Sequence, residues 1–171
     1  MRRVTTVAVA AIATLLTIAA PAGAMKPFRF EPGPNPDLVV RNICPFPVLL
    51  HDVVNKLHIT DFFDRHGNLV RESGNGAIVE DVTRLRAGEP VRTIRRNISG
   101  PGTITFDDRG LTLVARGVWL FFFGSGEVTN HPDGLMWFTT GRFVWRFSDA
   151  SGMWTLQSAS GSRTDVCALL S

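Results

Sequence analysis

The residues through which this chain could do chemistry are few: four histidines, two cysteines, scattered carboxylates and several serines beside glycine. His51-Asp52 and His58, on two arms of a hairpin turning at Asn55-Lys56, could join Asp61 and His66, and two imidazoles with a carboxylate are a workable donor set for zinc. The spacing is unspecific, because HxH, HExxH and paired-cysteine motifs are all absent, so no metal site and no cofactor is expected. Ser99, Ser125 and Ser151 lie in glycine-containing turns without the GxSxG frame of a raised nucleophile, and the turns account for them. Gly100-Pro101-Gly102 and Gly124-Ser125-Gly126 lack the lysine of a phosphate-cradling loop. Glu80-Asp81 alternate in direction on a strand and Asp107-Asp108 suit a tight turn, so no acid–base pair on a shared face is visible and no catalytic residue is assigned. A charge turned inward, with Glu80 beside Arg95 the candidate pair, would be the exception, since buried charges persist only when partnered.

Cys44 and Cys167 stand in neither a CxxC nor a CxxH spacing, and a structural disulfide is their expected role. The beginning of the chain supports it. Met1-Arg2-Arg3 is basic, Val4 to Ala20 is apolar apart from threonines, and Ala22-Gly23-Ala24 offers the small-x-small pattern that signal peptidase accepts. Residues 1–24 therefore read as a cleaved export signal rather than a membrane anchor, placing the mature chain outside the cell, where disulfides persist. A bridge closing about 124 residues would remove on the order of 5 kcal/mol of denatured-chain entropy.

Of 171 residues, 147 then remain, enough for one domain with a core. With Arg2 and Arg3 gone, 16 basic residues face 15 acidic ones, a balance that gives no support for nucleic-acid or anionic-membrane binding. Hydrophobic content of 44% excludes a disordered chain, and no span crosses a membrane once the signal is removed.

The elements that must position these residues are strands. Residues 25–37 carry Pro32, Pro34 and Pro36 at alternate positions and read as an extended lead-in. From residue 38 to 171, turn signals recur between short runs rich in Val, Ile, Thr, Phe and Trp, the punctuation of an antiparallel meander. Leu111 to Phe123 and Leu135 to Phe147 alternate with a period of 2, with Leu113, Trp119, Phe121, Trp137, Phe143 and Trp145 on one face and Thr112, Arg116, Arg142 and Arg146 on the other. A symmetric connection sets residue i opposite 258 − i, so Gly117 meets Gly141, as a strongly coiled sheet requires at its bend. Residues 75–90 suit either a helix capped by Asn75 or a strand turning at Ala87-Gly88-Glu89-Pro90; flanking strands favour the strand. The fold expected is all-β, a meander closing into a barrel of about eight to ten strands in a single domain.

Arg41 to Val48, Ile98 to Gly102, Leu135 to Arg142 and Arg163 to Leu170 together resemble segments of small exported proteins of actinobacterial type. The resemblance implies a β-barrel and carries no activity with it.

Ten of the 16 aromatic residues fall between Trp119 and Trp154. They either fill a barrel core or, with Ala115, Gly117, Thr139 and Gly141 keeping the middle of the face small, leave an apolar cavity walled by Trp119, Phe121, Trp137, Phe143 and Trp145. The leading functional expectation is non-catalytic binding of a small apolar molecule. A filled structural or protein-interaction module and an isomerase or cyclase acting in the cavity are the alternatives, and neither ligand identity nor a protein partner is legible.

Overall fold

The computed structural model describes residues 25–171; the export signal read from residues 1–24 lies outside them. Nine antiparallel strands and one helix follow in order: β1 (Phe28–Phe30), β2 (Leu38–Val40), β3 (Val48–Phe63), β4 (Leu69–Arg84), β5 (Arg92–Asn97), β6 (Gly102–Asp107), β7 (Gly110–Phe123), β8 (Leu135–Ser148), β9 (Met153–Asp165) and α1 (Val166–Leu170). The ladder runs β1-β3-β4-β6-β7-β8-β9, with β2 added beside β3 and β5 beside β4. It is an open sheet, as β1 and β9 are its two ends among the described residues. Within the proline-rich lead-in, Phe28–Phe30 is a short strand on β3.

β3 and β4 are long because two sequences that look like turns are not. Asn55-Lys56 lies inside β3 and Ser73-Gly74-Asn75-Gly76 inside β4, and the two stretches face each other, with Lys56 opposite Ala77 and His58 opposite Asn75. The hairpin expected at Asn55-Lys56 is therefore replaced by a continuous strand. Cross-strand pairing carried by Leu57, Ile59, Ile78 and Val79 outweighs the local turn preference. A bulge between Asp52 and Val54 shifts the register, so β3 turns its even residues Leu50 and Asp52, then its odd residues Leu57 and Ile59, to one side of the sheet. Asn75 to Arg84 is strand, and the chain turns at 85–91.

In β7 and β8 the register is the expected one: Leu111 pairs with Phe147, and Gly117 with Gly141. Gly161 of β9 extends the row. All three glycines have positive φ (78°, 112° and 131°), a conformation costly to residues with a Cβ. Here the ribbon doubles back on itself. Phe121 is opposite Trp137, eight residues short of Trp145 on β8, a separation of about 26 Å along a straight strand at ~3.3 Å per residue. Yet the rings of Phe121 and Trp145 are 5.6 Å apart, and those of Phe121 and Phe143 6.1 Å. The odd-numbered rings on either side of the glycine row thus close on one another like facing pages.

A second cluster lies on the other side of the folded ribbon. Leu120, Met136 and Phe138 pack with Val48, Leu50, Val82, Val166 and Leu170. α1 starts where the Asp165 side chain accepts a hydrogen bond from the Ala168 amide at 3.1 Å, and it brings Cys167 to Cys44, joined in the expected disulfide with Cα atoms 5.2 Å apart.

Candidate functional site

Between the two clusters is a cavity of about 650 Å³. β4 supplies one wall with Ile78 and Glu80; β3 adds Leu57 and Ile59; β6 adds Ile104. The folded-over part of β7 stands opposite with Leu120 and Phe122, while Leu113 and Trp119 mark the hinge side. Asn35, Pro36 and Asp37 of the lead-in border it too. The opening in the sheet arises at β4, whose edge is shared by β6 at Arg71–Gly74 and β5 at Val79–Arg84. The connecting residues leave β4 for β7: the Gly100 amide donates to Val118 O at 3.0 Å and the Arg116 amide to Pro101 O at 2.9 Å.

Of the five aromatic walls expected from the sequence, Trp119 borders this cavity. Its indole N–H donates to Arg116 O at 3.1 Å, and its ring lies over Gly100 and Gly102, where any Cβ would strike it. Phe121, Trp137, Phe143 and Trp145 lie instead in the closed fold of the ribbon, with Phe123 and Val128. Their rings are 4.9–6.3 Å from one another along the series Phe123, Trp145 and Trp137, the spacing of filled aromatic packing. Of the aliphatic lining residues, only Leu113 stood on a face that the sequence pattern turned inward. On β4 the signal was the even-numbered series Gly74, Ile78 and Glu80, weakened by its glycine and its acid.

Glu80 lies at this wall and is only 8% exposed. The expected pairing with Arg95 is not made. Arg95 is across from Asp81 in the register and donates to both of its oxygens at 2.7 Å, on the opposite face, holding the Asp81 carboxyl below its usual range. Glu80 is left across from Asp52 on β3 and Arg96 on β5. Among the described residues it makes no side-chain hydrogen bond or ion pair. Burial, reinforced by the Asp52 charge, pushes its carboxyl up to about 7. Glu72, also at the wall, is raised by burial and then by Asp61.

The histidines are dispersed. His51 Nδ1 is 2.6 Å from Asp37, which raises the imidazole's pKa by hydrogen bond and charge; His58 reaches Glu31 at 3.1 Å; His66 accepts from Arg65 Nε. Among the described residues no three His, Cys, Asp or Glu side chains gather as a metal-holding group. Ser99 is committed to strand pairing, donating to Ile78 O at 3.1 Å and accepting from the Ile78 amide at 2.7 Å. Ser125 donates to Pro132 O. No helix among the described residues is long and apolar enough to cross a membrane. No protein-family model, curated protein or solved structure matches the chain.

Proposed function

We propose that this chain is an exported, non-catalytic container for a small hydrophobic molecule, with the coiled sheet serving as a barrel-like wall. The observation that carries this reading is the aliphatic cavity between the two packed clusters. Its volume of about 650 Å³ falls within the ~300–1,000 Å³ usual for ligand sites. At ~25 cal/mol per Å², a few hundred Å² of buried apolar surface offers micromolar-scale binding energy before association costs, so a wall poor in polar motifs is no obstacle. Export is supported by the sequence at 1–24 and by the Cys44–Cys167 bridge. Native mass spectrometry after gentle purification tests the reading: a bound apolar molecule lost on organic extraction is expected. An empty protein that leaves the fluorescence of apolar probes unchanged would refute it.

Glu80 favours one second reading, an isomerase or cyclase, because a carboxyl titrating near 7 suits general acid–base chemistry. It predicts a mass-neutral change in the extracted molecule on incubation with fresh protein, abolished in Glu80→Gln. The container reading predicts an unchanged molecule.

A further inference from the structure

The ionisable groups lining the cavity all have one sign. Asp37, Asp52, Glu72 and Glu80 are there, and no Lys, Arg or His is. Two of the four are already engaged by the protein. Asp37 holds His51, and Asp52 Oδ2 accepts from the Asn35 amide, Asn35 Nδ2 and Asn55 Nδ2 at 2.8–3.0 Å. Glu80 is the opposite case, more than nine-tenths buried and without a partner. The two arginines of the facing part of β5 are occupied elsewhere: Arg95 binds Asp81 on the other face, and Arg96, across from Glu80, carries its guanidinium over the Phe138 ring at 5.6 Å. Burial penalises the ionised form of a carboxyl whose oxygens still reach the cavity, and a cationic ligand group seated against it can offset that penalty. An anionic ligand would add like charge to four carboxyls, whereas a cation or strong donor would complete the wall.

We propose that the cavity selects a hydrophobic amine, seating a protonated nitrogen at Glu80 and its apolar body against Ile78, Ile104, Leu113 and the ring of Trp119. This inference rests on the container reading and specifies its ligand class. Trp119 offers ring surface rather than a hydrogen bond, because its indole N–H is already given to Arg116 O. The groups facing Glu80 are Asp52 from β3, Arg96 from β5 and, further along β4, Glu72; Asp37 stands at the rim, and the His51 it holds lies on the other face of β3, across from Asp81. Glu80 offers a full negative charge only above about 7, so amine affinity should rise with pH through that value. His51 acts in the same sense at longer range, since its protonation at low pH offsets the charge of Asp37; Glu80→Gln keeps that smaller contribution and loses the rest.

Titration calorimetry on the folded chain with decylamine, decanol and decanoate, all below micelle-forming concentrations, tests the charge against a constant apolar chain. Decylamine should bind at least about tenfold more tightly than decanol, and decanoate most weakly. In Glu80→Gln, with an unchanged near-ultraviolet dichroism spectrum, the amine's advantage should fall to near parity while decanol affinity stays put. The wild-type pH profile needs no variant and should show amine affinity climbing through about 7 with decanol flat. Equal binding of all three, or an amine advantage that survives Glu80→Gln, would overturn the amine proposal and leave the container intact. Failure of all three to bind would overturn both.

Discussion

The two halves of the sheet solve the same problem, burying an apolar face, in opposite ways. β7, β8 and β9 double over along Gly117, Gly141 and Gly161, so that Phe121, Phe143 and Trp145 press together and leave no space. β3 and β4 meet the folded ribbon only through Val48, Leu50 and Val82, and with β6 they present Leu57, Ile59, Ile78 and Ile104 to a cavity. Bulky rings close a fold; branched aliphatic residues, interrupted by Gly74 and Gly102, cannot reach across one. The densest aromatic patch in the chain therefore marks where the molecule is full, and the hollow lies beside it.

That contrast can be broken most forcefully at its filled side. Trp145→Ala should lower unfolding stability by about 3–5 kcal/mol, whereas Ile104→Ala at the cavity wall should cost about 1–2 kcal/mol, both read from chemical denaturation. Equal costs would mean the two halves are packed alike. Next comes the bridge. Cys44→Ala with Cys167→Ala should cost about 2–5 kcal/mol and lower the melting temperature under non-reducing conditions, and a reductant should then have no further effect.

Glu80→Gln sharpens the hollow side. The folded carboxyl titrates at about 7 against an ordinary 4.5, so the folded chain binds that proton more tightly than the unfolded chain between these values. Stability contributed by the neutral form is complete below about 4.5 and is lost as pH rises through about 7. Gln carries no charge to bury, so the variant should be more stable than the parent by about 2 kcal/mol above neutrality, with the difference vanishing in acid, in a series of denaturant midpoints. The smallest effect belongs to the fold of the ribbon. Thr139 is 1% exposed and its hydroxyl has no partner among the described residues, so Thr139→Val should raise stability by about 1 kcal/mol. A loss there would show that the hydroxyl is satisfied in solution.

Much of the architecture was legible because β7 and β8 alternate without interruption: the pairing of Gly117 with Gly141 followed from spacing alone. The disulfide followed from two cysteines in a chain with an export signal, and the strand identity of residues 75–84 from the strands that flank it. What stayed hidden was the doubling of the ribbon. Period 2 reports which residues share a face but not whether that face later folds onto itself, so Phe121 and Trp145 could be read as opposite walls or as neighbours. β3 was illegible for a different reason. Its bulge at Val53 switches the inward set from even to odd, and Asn55-Lys56 imitates a turn, so neither the strand's length nor its inward set of Leu50, Leu57 and Ile59 forms a clean pattern. Glu80 was visible as a candidate for an inward-turned acid, but its separation from Arg95 depended on register, which puts Arg95 with Asp81.

Cys44 precedes β3 and Cys167 follows β9, strands on either side of the ladder's long open path. The row of hydrogen bonds stops short of a circuit, and the disulfide ties the segment before the first long strand to the helix that follows the last. The curvature of the molecule is thus secured at a single covalent stitch. That stitch would open in a thiol-rich compartment and hold in an oxidising one.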